Sequence, residues 1–254
     1  MVTDFGFITT FSDEYYYGIK MCETMEEFLP KNADLTIYYE GKSVPENTAK
    51  NTFLPYPMKS INDFKKNYFS IQNEIIKGKS INSRDYDSAQ LYRWDAIRFS
   101  WKIFSLLEFY NKCKSRYMVW IDADVHLTSK IPENFLWTLV EDGKYASYLN
   151  RARLHTECGF VIYDTQHPHH LLFWQRMNGL YNNGDLFKLK YWTDCHAFDF
   201  LIELSEKDGF KNNPLVDTSK GDHAWNGSPL HKYSRHFKGM SNKKALDNNK
   251  TAPF

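Results

Sequence analysis

The stretch Tyr117–Leu127, YMVWIDADVHL, limits the fold more than any other. Its first five residues are apolar or aromatic without a break, as in a strand covered on both faces. Such strands belong to parallel sheets flanked by helices. The run ends in two carboxylates one residue apart, Asp122 and Asp124. Alternation along a strand turns both to the same side. Burying carboxylates is costly unless something positive meets them. The stretch therefore implies a cationic ligand as well as a fold.

The flanking sequence supports an α/β reading. FGFITTF (Phe5–Phe11) reads as a strand, Glu14–Leu29 as a helix halted by Pro30, and ADLTIYYE (Ala33–Glu40) as a second strand. Residues 43–58 read as loop, Ser60–Gly78 as a helix, and Gly78–Asp87 as a polar loop. From Ala89 to Cys113 the residues Leu91, Trp94, Ile97, Trp101, Phe104 and Leu107 recur at helical spacing. Beyond the carboxylates come a short helix (Pro132–Glu141), strands at Tyr145–Arg151 and Glu157–Asp164, and helices at His169–Tyr181 and Asp194–Lys207. The tail from Lys211 reads as loop. In open α/β sheets, ligands bind at the carboxyl ends of the strands, which is where Asp122 and Asp124 fall.

Composition narrows the class. The 254 residues suit a single domain with a substantial core. A net charge of +1 gives no global field for nucleic acid, although Lys232, Arg235, Lys238, Lys243 and Lys244 cluster late in the chain. Cys22, Cys113, Cys158 and Cys195 form no C-x-x-C pair, so spacing indicates neither a zinc site nor a disulfide framework. No signal-peptide pattern opens the chain, and no apolar run reaches the ~18 residues of a membrane helix. The expected location is cytoplasmic.

Asp122 and Asp124 offer hard oxygen ligands on a rigid strand end, suited to Mg²⁺ or Mn²⁺ carrying a phosphate group. Asp95, Arg98 and Lys102 share a helical stripe that reads as a solvated ion-pair face. Asp194 opens a helix, where a carboxylate can cap, catalyse or do both.

On these residues the chain resembles the GT-A glycosyltransferases that use nucleotide sugars, nearest the family-8 type of glycogenin and the lipooligosaccharide galactosyltransferases. FITTFSDEYYYGIKMCETM resembles the first strand and helix, which implies that Thr9, Thr10 and Phe11 lie against the nucleotide. MVWIDADVHL resembles the D-x-D strand, with Asp122, Ala123 and Asp124 at the donor. The resemblance also implies that Arg98 or Lys102, on the helix before that strand, reaches the nucleotide. TECGFVIYDT resembles the strand lining the sugar and acceptor pocket. HFKGMSNKK resembles the closing H-x-x-G-x-x-K, which implies that His236 completes the metal site, Gly239 approaches the diphosphate, and a lysine touches it. Lys243 stands one residue beyond the family position, so Lys243 and Lys244 compete for that role. TDCHAFD aligns with the D-Q-D segment beside the anomeric carbon, with Asp194 on the aspartate and Cys195 on the glutamine. Glu157 is the alternative catalytic carboxylate.

The resemblance implies a Rossmann-like, mostly parallel sheet in one domain: a nucleotide-binding half (1–128), a sugar and acceptor half (129–210), and a tail (211–254) closing over the diphosphate. It implies Mn²⁺ or Mg²⁺, a UDP-sugar donor, retention of configuration, and a glycan or lipid-linked saccharide acceptor. Hydroxymethylated pyrimidines in DNA, reached by base flipping, are a second acceptor class. Outside the class stand a haloacid-dehalogenase-like phosphatase, for which GDHAWN lacks the second acid, and a sugar-binding protein without catalysis. The sequence assigns no oligomeric state.

Overall fold

The computed structural model describes residues 2–12, 15–81, 93–151, 154–216 and 224–237. Its centre is a seven-stranded sheet in the order β3-β2-β1-β4-β7-β6-β8. The strands are β1 (Phe5–Phe11), β2 (Ala33–Tyr39), β3 (Asn51–Pro55), β4 (Tyr117–Ile121), β6 (Lys144–Leu149), β7 (Glu157–Asp164) and β8 (Lys211–Pro214). β7 runs against its neighbours β4 and β6, while the other paired strands of the sheet are parallel. A mostly parallel α/β sheet was the expectation from Tyr117–Ile121, and it holds.

The uninterrupted apolar strands follow from burial on both faces. Ile8, Met118 and Trp120 enter one core, under α2 (Met58–Ile81), α3 (Ala96–Phe109), α4 (His170–Asn182) and α5 (Asp194–Lys207). Phe7, Val119 and Ile121 enter the other, under α1 (Tyr16–Phe28) and a late segment carrying α6 (Ala224–Gly227). Neither side of β1 or β4 is left to solvent, so neither has a polar period.

Local sequence sets the helix ends. Leu29 adopts φ −62°, ψ 143°, the extended conformation that a following proline imposes, and α1 stops there. Asp95 caps α3 by accepting from the Arg98 amide at 3.1 Å, and Thr193 caps α5 by accepting from the His196 amide at 3.3 Å. The cap of α5 is thus Thr193, and Asp194 is its first helical residue. The helix expected from Ala89 starts at Ala96, and residues 82–92 lie outside the described residues. The helix expected to end at Gly78 continues to Ile81.

Three expectations are corrected. The segment read as loop at 43–58 contains β3, whose residues are mostly half-buried or exposed. β3 lies at a sheet edge and ends in Pro55, so it shows no burial pattern to read. The helix expected over Pro132–Glu141 is one 3₁₀ turn, Leu136–Leu139. The tail from Lys211 is not all loop: it supplies β8, α6, a 3₁₀ turn at Pro229–Lys232, and β9 (Ser234–His236). β9 pairs antiparallel with β5 (Val125–Leu127) in a small separate ladder that sets Val125 opposite His236.

The late segment is part of the core. Trp225 is 1% exposed and packs against Phe160 of β7 and the His236 ring. Trp225→Ala is expected to cost about 3–5 kcal/mol of unfolding free energy, the range for removing a buried Trp. Urea denaturation measures it, and a loss below about 1 kcal/mol would mean that the segment is only loosely attached.

Candidate active site

The chain reverses its direction of travel across the sheet between β1 and β4, since β2 and β3 lie to one side and β7 to the other. A crevice opens outside the strand carboxyl ends at such a switch point. Here it is a cleft of about 610 Å³, lined by Thr10 at the end of β1, Glu40 after β2, Asp122 and Asp124 after β4, and Arg98 and Lys102 of α3.

Asp122 and Asp124 lie in the short connection from β4 to β5. The Asp122 amide donates to the Gly159 carbonyl at 2.9 Å, and the Phe237 amide donates to the Asp124 carbonyl at 2.9 Å, so both backbones are tied down. The β5–β9 register brings in His236, whose Nε2 lies 3.1 Å from Asp124 Oδ1 and 3.9 Å from Asp122 Oδ2. One ligand atom from each of the three residues fits within a mutual 4.8 Å. Gly159 clears the space beside them. A Cβ there would stand 2.8 Å from His236 Cε1 and 3.3 Å from Asp122 Oδ2. Two carboxylates and an imidazole converging on a spot kept free of side chain are a fitting donor set for a divalent cation, and for Mn²⁺ in particular among oxygen-preferring ions.

Lys102 joins this set to a third carboxylate. Its ammonium lies 2.7 Å from Asp194 Oδ2, 3.3 Å from Asp122 Oδ1 and 4.6 Å from the centre of the Trp120 ring, and it donates to the Cys158 carbonyl at 2.5 Å. Burial opposes its charge, but Asp122 and Asp194 outweigh burial and hold Lys102 protonated well above the ordinary lysine range. The side chains of Lys102 and Asp194 are 13% and 9% exposed, so the pair is screened little. Removing one partner of such a pair costs about 3–5 kcal/mol.

Around the two aspartates and Thr10 sit residues that motif reading missed. Tyr15 donates to Asp124 Oδ2 at 3.4 Å, and burial, reinforced by Asp124 and Asp122, raises its hydroxyl far above the usual tyrosine range. It therefore remains a donor. Trp120 Nε1 donates to Asp122 Oδ1 at 2.7 Å. Glu40 accepts from the Thr10 hydroxyl at 2.8 Å, and burial raises its carboxyl group. Glu40 was findable by the logic that found Asp122, since it too follows a parallel strand at the carboxyl edge. Tyr15 is one of three consecutive tyrosines, and only the fold says which faces the cleft.

Of the expected site residues, Thr10, Arg98, Lys102, Asp122, Ala123 and Asp124 line this cleft. Thr9 is fully buried and Phe11 is 4% exposed; neither lines it. Glu157 is 1% exposed, ion-paired to Arg151 at 3.4 Å, and also absent from the lining. Gly239, Lys243 and Lys244 lie outside the described residues. The cysteines, unpaired by spacing, are not all solitary in space: Cys158 and Cys195 meet beside Asp194.

No known sequence family matches the chain, and no curated protein does. Solved structures resemble it at low identity. A glycosyltransferase involved in the glycosylation of the major capsid of PBCV-1 is 13% identical, with a TM-score of 0.48, over 96% of this chain and 97% of that one. Mouse xyloside xylosyltransferase 1 is 9% identical at a TM-score of 0.47, over 84% and 86%. The glycosyltransferase GlyE of Streptococcus pneumoniae is 8% identical at 0.47, over 83% of this chain and 45% of its own. Likeness at this level leaves function to be argued from the site residues.

Gly159→Ala tests the converging donor set. The added methyl group presses on His236 and Asp122, so Mn²⁺ affinity, measured by titration calorimetry, is expected to fall about tenfold, the scale of a disturbed metal environment. Unchanged affinity in a folded variant would exclude a cation held at this point.

Proposed function

We propose that the protein is a metal-dependent glycosyltransferase of the GT-A, family-8-like type, moving a sugar from a UDP-sugar to an acceptor hydroxyl with retention. The observation that carries this reading is the meeting of His236 with Asp124, 112 residues apart in sequence, beside Asp122 in the switch-point cleft. A strand-end D-x-D completed by a late histidine is the constellation expected from the sequence resemblance.

Asp122, Asp124 and His236 would hold Mn²⁺ or Mg²⁺, which when bound would supply Lewis-acid neutralisation of charge on the departing diphosphate. The side chains do the rest. Tyr15 and Trp120 donate to the two aspartates and fix which of their oxygens face the diphosphate. Arg98 lines the same cleft and offers a fixed, always-charged fork to phosphate oxygens. Thr10 and Glu40 present a hydroxyl and a carboxylate to the nucleoside. Asp194, held by Lys102 one side chain away from Asp122, stands beside the anomeric carbon. There its charge stabilises an oxocarbenium-like transition state or orients the acceptor hydroxyl. The acceptor is a glycan or lipid-linked saccharide, with hydroxymethylated DNA pyrimidines as the alternative. No helix among the described residues is long and apolar enough to cross a membrane.

Asp124→Asn is expected to reduce metal-dependent release of UDP by more than the roughly 10–100-fold that losing an outer-sphere partner costs. Wild-type turnover of this variant at saturating Mn²⁺ would overturn the metal reading.

Asp194→Asn is expected to lower kcat by about 10²-fold or more with donor affinity nearly intact, because the lost interaction exists mainly in the transition state. NMR assignment of the first-formed product decides the stereochemistry. An inverted product would remove the family-8 mechanism and leave the metal-dependent transfer itself in place.

A further inference from the structure

Beside the oxygen-rich metal set lies a chemically opposite one. Cys158 of β7, Cys195 in the first turn of α5, and Asp194 each offer one ligand atom, and these atoms lie within 4.8 Å of one another. We propose that Cys158, Cys195 and Asp194 form a second cation site, selective for thiophilic divalent ions of the zinc class.

The donor set makes the choice of ion. Two sulfurs and one carboxylate oxygen form a soft site, whereas Mg²⁺ and Mn²⁺ favour oxygen. Zinc binds cysteine sulfur and aspartate oxygen in tetrahedral geometry, and three protein ligands leave a fourth position open. Asp122, Asp124 and His236 make the harder set, so Mg²⁺ and Mn²⁺ favour it over the cysteine pair.

Rigidity and access both favour the site. Cys158 is 3% exposed and sits on a central strand, with its carbonyl fixed by Lys102. Asp194 and Cys195 are held on a helix start capped by Thr193. Cys195 is partly exposed, which leaves an entry path from solvent. A pair of core cysteines packed only for volume has no reason to meet at a carboxylate.

Charge is conserved when the site fills. Empty, the Asp194 carboxylate and the Lys102 ammonium lie 2.7 Å apart and balance each other. Filled, two thiolates and a carboxylate face a divalent ion and the same ammonium, again summing to zero, because metal binding displaces the thiol protons. Lys102, 2.7 Å from Asp194 Oδ2, stays as the counter-ion of the filled site. Occupancy nevertheless shares Asp194 between Lys102 and the ion, which makes zinc an inhibitor of any chemistry that uses this carboxylate.

Cobalt titration reads the site directly and requires neither donor nor acceptor, so its outcome is independent of the glycosyltransferase reading. The reduced full chain is titrated with Co²⁺, and a sulfur-to-cobalt charge-transfer band is expected; only sulfur ligation gives this band, so cobalt at the oxygen-rich set does not contribute to it. Cys158→Ser and Cys195→Ser are each expected to abolish it and to weaken zinc at least tenfold. X-ray absorption at the zinc edge of the unmutated protein keeps the test open if a variant misfolds; it is expected to show two sulfurs at about 2.3 Å. A zinc shell of nitrogen and oxygen alone overturns the proposal, as does a band that survives in folded Cys195→Ser. So does conversion of the two thiols to a disulfide, with loss of two hydrogens and no bound ion.

Discussion

The Lys102 ammonium is the interaction on which the site depends. It comes from a helix and meets a carboxylate following β4, a carboxylate opening α5, a carbonyl of β7 and the face of Trp120. Buried charges persist where their partners answer them, and here each partner belongs to a different element. The ion pairs thereby fix how α3 and α5 sit against the carboxyl edge of the sheet. Lys102 lies 3.3 Å from Asp122 and 2.7 Å from Asp194, so one cation answers two carboxylates that would otherwise face each other as like charges.

That electrostatic knot needs a scaffold that does not yield. The sheet supplies it by burying both faces of its central strands, with Trp174, Tyr181 and Phe173 fully buried on one side and Met21, Leu35 and Trp225 on the other. Backbone ties then hand this rigidity to the loop after β4. The connection that carries the carboxylates is short and bonded on both sides, to Gly159 and to Phe237.

Central elements were legible in the sequence and edges were not, for a physical reason. β1, β7 and α5 match their expected bounds, because burial on two faces or along one stripe writes a periodic or continuous apolar pattern. β3 and β8 lie at the sheet edges, bury little, and read as polar connection. In the site, Asp122, Asp124 and Lys102 could be found because their positions relative to a strand or stripe imply direction. His236 could be found only by motif resemblance. Its ladder with β5 is short and its approach to Asp124 spans 112 residues, a distance no local pattern encodes. The meeting of Cys158 with Cys195 and the selection of Tyr15 from its neighbours arise only when β7, α5 and α1 are packed.

The late arrival of His236 has a consequence for biosynthesis. A ribosome delivers Asp122 and Asp124 with the body of the sheet, but the imidazole follows 112 residues after Asp124, within the strand that closes the β5–β9 ladder. An incomplete nascent chain can thus form most of its core and expose the carboxylate pair without the third ligand. The three side chains come together only after synthesis has passed His236, so products that terminate before it and fold in part lack the imidazole.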